Sequence, residues 1–230
     1  MKLSERYPDL NLLTAGSSFS QLFNLLYTAS LLRYTTKEHL NQINHKLGTP
    51  KKLQILAESG YLTCKNSKVF VITDKTKSLL EEQGYTCKIL AKKITGETAE
   101  HELLIASVIL DMMKDDNFYS VFYPTFMEPP NYDRDFLKPD ACVIFKKERQ
   151  YKISFLEVEN EKPGWESYLQ AKREKYETIG RDYNTYGKWW KFWSEKLRLP
   201  YCNQDSFCFS VLCTGDIERN WEGWIWRKRA

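Results

Sequence analysis

The sequence has few features of a membrane or secreted protein. No apolar run reaches the roughly 18 residues that a membrane-spanning helix needs, and no charged segment followed by an apolar one marks a secretory signal. Six cysteines are scattered without CxxC spacing, which argues against a zinc site and favours reduced thiols. We therefore expect a cytoplasmic protein without membrane insertion.

Charge is nearly balanced overall but unevenly distributed along the 230 residues. The net charge is +4, yet residues 1–97 carry 14 Lys/Arg against 8 Asp/Glu, whereas residues 98–230 carry 20 against 22. A basic part beside a near-neutral part predicts that one domain holds a polyanion while the other acts on it. Lysines that merely maintain solubility are the alternative.

The N-terminal part alternates helix-start signals with glycine breaks. Ser17 or Ser18 can cap a first helix, Thr35 with Glu38 has capping-box spacing for a second, and Thr49 can cap a third. Two short apolar strands around a polar tip follow, and then a fourth helix. Three helices, a hairpin and a helix are the order of a winged helix-turn-helix domain.

The third helix would be the recognition helix of such a domain, and the hairpin its wing. Both are basic, and their polar side chains are of the types that bind phosphates and base edges. The candidate DNA-binding residues are Thr49, Lys51, Lys52, Gln54, Lys65, Asn66 and Lys68. A winged helix used for protein contacts or dimerisation is the alternative.

Two apolar segments, 138–145 and 151–160, predict a β-hairpin in the second part. Pro139 and Asp140 fit the start of the first strand, and Glu157 and Glu159 share one face of the second. Neighbouring carboxylates on an apolar face are costly unless a cation neutralises them. Three hard oxygen ligands suit Mg²⁺ or Mn²⁺. Solvated carboxylates at strand ends are the alternative.

A helix predicted from Trp165 to about Tyr183 carries a lysine within its apolar seam. The spacing of the seam calls for a core residue at Lys172, and a buried ammonium needs an acidic partner. Glu157 or Glu159 could supply it, because the helix follows their strand directly. Lys175 on a flanking row is the second choice, and a lysine that reaches the surface is the alternative.

The order of elements in the second part resembles the restriction-endonuclease-like PD-(D/E)xK fold. A helix and a strand precede a hairpin with Pro139-Asp140 and Glu157-Val158-Glu159, and then a lysine-bearing helix and a strand follow. The usual lysine is replaced by Glu159, so its role would pass to Lys172 or Lys175. We expect an α/β (α+β) protein: a winged-helix domain in 1–86, a linker in 87–97, and a nuclease-like core with a mixed central sheet in 98–230.

Together with the winged helix, this core resembles the replication-relaxation family and the MobC-type conjugative relaxases, which nick plasmid transfer origins. The matching residues are His101, Asp140, Glu157, Glu159, Lys172 and Tyr176. The resemblance implies a site-specific DNA endonuclease that needs Mg²⁺ or Mn²⁺. It also implies the double-stranded transfer origin, single-stranded DNA, and relaxosome or coupling proteins as partners.

Phosphodiester cleavage gives each acidic and basic residue a role. Asp140 and Glu157 would ligate the metal, with Glu159 as third ligand or base. Lys172 would stabilise the phosphate or lower the pKa of the attacking water, and His101 could orient a carboxylate or phosphate.

Tyr176 is a candidate hydrogen-bond donor and, as an alternative, a nucleophile. The three histidines contain no His-hydrophobe-His pair, which excludes a tyrosine–histidine relaxase. A non-catalytic DNA-binding accessory or replication protein, and a restriction or repair nuclease, remain the competing functions.

Overall fold

A computed structural model describes residues 18–65, 68–85, 96–123, 139–148, 150–159, 164–181 and 207–213. These residues form an α+β structure. The helices are α1 Phe19–Leu32, α2 Lys37–Ile43, α3 Pro50–Glu58, α4 Asp74–Glu82, α5 Gly96–Met112 and α6 Trp165–Arg181. The strands are β1 Leu62–Lys65, β2 Val69–Ile72, β3 Phe118–Phe122, β4 Ala141–Lys147, β5 Gln150–Glu159 and β6 Phe207–Cys213. No helix in these ranges is long and apolar enough to cross a membrane.

The chain divides into two compact units, Met1–Asp111 and Met112–Ala230. In the first, α1 to α3 are followed by the antiparallel β1–β2 hairpin and α4, which is the predicted order of elements. Ser18 caps α1 as predicted, with its hydroxyl accepting from the Gln21 N–H. Buried side chains of all these elements form one core, among them Leu22, Leu25, Leu26, Leu40, Leu53, Leu56, Tyr61, Leu79 and Leu80.

The predicted capping box of the second helix is displaced by one residue. Thr36, not Thr35, caps α2, and His39, not Glu38, completes the box by accepting the Thr36 N–H at Nδ1. Thr35 is instead bridged to Phe70, whose carbonyl accepts the Thr35 N–H at 3.0 Å. Because this bridge keeps Thr35 extended, the helix begins one residue later than its sequence spacing predicts.

Helix α5 is tied to the first unit by two polar contacts. His39 Nε2 and Ser107 Oγ are 2.8 Å apart, and Arg33 forms an ion pair with Glu102. The nuclease-like domain that we predicted begins at residue 98, within this helix. The predicted boundaries of 1–86, 87–97 and 98–230 remain predictions.

The second unit contains a four-stranded mixed sheet in the order β3-β4-β5-β6. The pairs β3/β4 and β4/β5 are antiparallel, whereas β5 and β6 are parallel and α6 lies between them in the chain. The predicted hairpin is therefore present as β4 and β5, with Ala141 paired to Leu156 at its open end. Residues 153–158 of β5 are all buried, so both faces of this strand are covered.

Several predictions fall outside the described residues. The sequence predicts a strand over 118–126, an aromatic and basic segment over 184–204 that either packs or stacks on single-stranded bases, and a closing role for the C-terminal tryptophans. The end of that strand, this segment, these tryptophans and the candidate DNA-binding residue Asn66 lie outside the described residues.

Candidate functional site

Asp140 is fixed at the open end of the β4–β5 hairpin. Its backbone N–H donates to the Leu156 carbonyl at 2.9 Å, and its Oδ2 accepts from the Val158 N–H at 2.7 Å. Since Ala141 pairs with Leu156, Asp140 lies across from Glu157. The hydrogen bonds of Asp140 thus extend the pairing of β4 with β5 by one residue. Its half-buried carboxylate lies next to Glu157, the second acid of the predicted site.

Glu157 is fully buried, and both of its carboxylate oxygens accept hydrogen bonds from α6. The Lys172 ammonium bonds Oε2, and the Tyr176 hydroxyl donates to Oε1 at 2.7 Å. Residues four apart lie on one face of a helix, which brings both donors to the same carboxylate. Lys172 is only 8% exposed, so its predicted burial beside an acid is confirmed and a surface position is excluded.

Glu157 holds its proton more strongly than an ordinary glutamic acid side chain does. Burial raises the pKa of Glu157 to about 8, although the neighbouring Lys172 lowers it, and Asp140 adds to the rise. Burial lowers the pKa of Lys172, but the carboxylates of Glu157 and Asp140 outweigh this effect and raise it above the usual value. Burial, together with Glu157, raises the pKa of the Tyr176 hydroxyl. Tyr176 is therefore protonated and donates to Glu157 at neutral pH.

The raised pKa of Glu157 makes the second unit less stable as pH rises. The folded state binds a proton between the ordinary value of 4.5 and about 8, where the unfolded state has released it. This contribution is full below pH 4.5 and is lost as pH rises through 8, with a slope of at most about 1.4 kcal/mol per pH unit. Urea unfolding of the wild type between pH 5 and 9 should show this slope, and Glu157→Gln should lack it. Equal slopes in both proteins would contradict the raised pKa.

Two carboxylates of the predicted metal site lie in the described ranges, at one end of the β4–β5 hairpin. Mg²⁺ is commonly held by one or two carboxylates, with water and phosphate oxygens completing its shell. Asp140 and Glu157 are the two candidates, but both oxygens of Glu157 already accept hydrogen bonds, and Glu157 must release its proton before it can bind a metal. Glu159 is the last residue of β5, and its side chain lies outside the described set. Within the described ranges, no group of three or more potential metal ligands occurs.

The remaining predicted catalytic residues lie on two helices. Lys175 is half-buried on α6, and Lys172 rather than Lys175 bonds the Glu157 carboxylate. His101 is half-buried on α5, which lies almost wholly in the first unit.

The predicted DNA-binding residues, where described, lie on α3 and on the β1–β2 hairpin. Thr49 is the N-cap of α3 but makes no side-chain capping bond, and Pro50 occupies the first turn as predicted. Gln54 is exposed and donates to Glu58 at 2.8 Å. The lysines differ in exposure: Lys51 and Lys68 are exposed, whereas Lys52 and Lys65 are half-buried. Each of the two elements therefore has one exposed lysine among the candidate residues.

Sequence reasoning missed two residues beside the cluster. The Lys172 Nζ lies 4.7 Å from the ring centroid of Tyr168, one turn earlier on α6. Cys142 is paired with Phe155 across the strands, and burial raises the pKa of its thiol, with Glu157 adding to the rise. The four-residue spacing of Tyr168 from Lys172 was a usable signal, because such residues share a helix face.

Comparison of the chain with protein-family models, with characterised proteins and with solved structures finds no match. The functional assignment therefore depends on the geometry of the chain itself.

Proposed function

We propose that the protein is a metal-dependent, site-specific relaxase that nicks DNA at a plasmid transfer origin. The observation that carries this proposal is the cluster of Asp140, Glu157, Lys172 and Tyr176 at the end of the β4–β5 hairpin. Two acids and an ammonium at one strand end are the groups that phosphodiester cleavage uses. Strand, hairpin, helix and strand follow one another in the order of the PD-(D/E)xK resemblance, and the last strand pairs in parallel with β5.

The first unit supports a role on DNA. The described order of its elements agrees with a winged helix, and Lys51 of α3 and Lys68 beside the hairpin tip are exposed. Exposed lysines on these two elements can neutralise phosphates, which makes binding salt-dependent. A cytoplasmic complex with the transfer origin, its exposed single strand and other relaxosome or coupling proteins is the setting we propose.

Each residue of the cluster has a defined task in this proposal. Asp140 and, once it has lost its proton, Glu157 would hold Mg²⁺ or Mn²⁺, which when bound supplies an activated water and neutralises phosphate charge. An ammonium has three N–H donors, so Lys172 can bond Glu157 and also a phosphate oxygen that gains charge. Tyr176 holds Glu157 in place through its hydroxyl. Glu159, Lys175 and His101 are retained as further candidate catalytic residues.

Supercoiled plasmid carrying the cognate origin and incubated with Mn²⁺ tests the proposal. We expect the wild type to convert it to the open-circular form, whereas Asp140→Ala or added chelator should reduce nicking by about 100-fold or more. Gel retardation of origin DNA by Asp140→Ala should equal that of the wild type, because the substitution lies in the second unit. Cleavage of both strands, or of any DNA, would instead indicate a restriction or repair endonuclease.

The burial of Glu157 favours a second candidate function, a non-catalytic DNA-binding accessory or replication protein. Glu157 is 0% exposed and its two oxygens already accept bonds from Lys172 and Tyr176, as in a purely structural ion pair. Retardation of origin DNA without nicking, equal in the wild type and in Asp140→Ala, would establish this function and exclude the relaxase.

A further inference from the structure

Tyr168 is an exposed aromatic residue at the edge of the charged cluster. It lies in the first turn of α6, where its N–H donates to the Gly164 carbonyl at 3.3 Å. Its ring lies against the Lys172 ammonium, yet the residue is 56% exposed. An ammonium near the face of an aromatic ring is attracted to it. Tyr168 thus combines a contact with Lys172 with a large solvent-facing area.

The other members of the cluster are far less accessible than Tyr168. Glu157 and Tyr176 are buried, Lys172 is nearly so, and Asp140 is half-buried. A substrate phosphate bonded to Lys172 would lie near the Tyr168 ring, because the Lys172 Nζ is 4.7 Å from the ring centroid. The group attached to that phosphate, a nucleoside, would lie beside the ring.

We propose that Tyr168 stacks on the base of an unpaired nucleotide next to the phosphate that is cut, and so positions the substrate strand. The inference depends on the proposed nuclease function and adds the state of its substrate. In a duplex each base is already stacked on its neighbours, so a base can reach the ring only where the strand is locally unpaired. Stacking on aromatic side chains tolerates any base, and recognition at this position is independent of sequence.

Binding of a single-stranded oligonucleotide to the full chain in chelator tests this role without requiring catalysis. Removal of the ring in Tyr168→Leu should weaken the affinity, measured by fluorescence anisotropy, about 5- to 100-fold, whereas Tyr168→Phe should bind like the wild type. Tyr119→Leu is the matched control, because Tyr119 is the other tyrosine of the described second unit that is strongly exposed (46%). A fully paired duplex should bind all four proteins equally.

Photo-crosslinking separates stacking from an indirect effect on folding. An oligonucleotide with 5-iododeoxyuridine should form an adduct at residue 168 in the wild type and in Tyr168→Phe, as located by mass spectrometry. Equal single-strand affinity of Tyr168→Leu and the wild type, with no adduct at residue 168, would overturn the inference. A positive binding result with no plasmid nicking would instead reject the relaxase proposal and leave Tyr168 as a nucleotide-binding residue.

Discussion

Replacement of Lys172 by methionine should lower the free energy of unfolding of the second unit by about 3 to 5 kcal/mol at pH 9. Methionine keeps most of the aliphatic stem but removes the ammonium that bonds Glu157, and the fully buried carboxylate then lacks its counter-charge. At pH 6 the loss should be smaller, because the raised pKa of Glu157 lets it take up a proton and become neutral. Urea unfolding followed by tryptophan fluorescence measures the change, since all seven tryptophans lie in the second unit.

Two further variants isolate the ion pair in this experiment. Lys172→Met combined with Glu157→Leu should regain most of the lost stability, because no buried charge remains. Lys175→Met is the matched control, a half-buried lysine of the same helix whose replacement leaves the Glu157–Lys172 pair in place. If Lys172→Met were as stable as the wild type at pH 9, the Lys172 ammonium would not be what stabilises the buried carboxylate of Glu157.

Gly48→Ala should destabilise the first unit by about 3 kcal/mol. A Cβ at this position would lie 2.3 Å from the Asn41 Cα and 2.6 Å from the Leu40 carbonyl carbon. These are backbone atoms of α2, so no side chain can swing aside to make room. The turn between α2 and α3 would have to open, which would also displace the proposed recognition helix. Far-UV circular dichroism during urea unfolding should show an earlier transition.

The distribution of tryptophan provides an internal control for the Gly48 variant. No tryptophan precedes Trp165, so the fluorescence transition should keep its midpoint while the dichroism transition of the first unit shifts. Gly84→Ala is the matched substitution: nothing lies within 4 Å of its Cβ, and only its φ of +82° is unfavourable, which costs about 1 kcal/mol. Equal losses for the two variants would show that the close approach to α2 is not the cause.

The charged cluster was largely predictable because its signals are local in sequence. Period-two alternation placed Glu157 on an apolar strand, and the helical period placed Lys172 in an apolar seam; both residues lie where these periods indicate. The start of α2 was not predictable in the same way. The bridge between Thr35 and Phe70 joins residues far apart in the chain. It prevents Thr35 from capping the helix, although the spacing of Thr35 and Glu38 is that of a capping box.

The contacts that join α5 to the preceding helices of the first unit were unpredictable for the same reason. The sequence predicts a helix ahead of the first strand of the second part, and the structure contains it as Gly96–Met112. The contacts of His39 with Ser107 and of Arg33 with Glu102 were not predictable, because polar pairs between distant segments produce no periodic pattern in the sequence. Tyr168 lies four residues before Lys172, but it was missed because an exposed aromatic residue does not belong to the apolar seam of its helix.

The mixed sheet has a consequence for the order in which the second unit assembles. Strands β4 and β5 meet through a tight turn at Glu148, so their pairing closes a very short loop, and α6 follows β5 after a short connection. The parallel partner β6 begins only at Phe207, so its pairing with β5 closes a much longer loop and is expected to form later. A nascent chain can therefore bring Asp140, Glu157, Lys172 and Tyr176 together before β6 has left the ribosome.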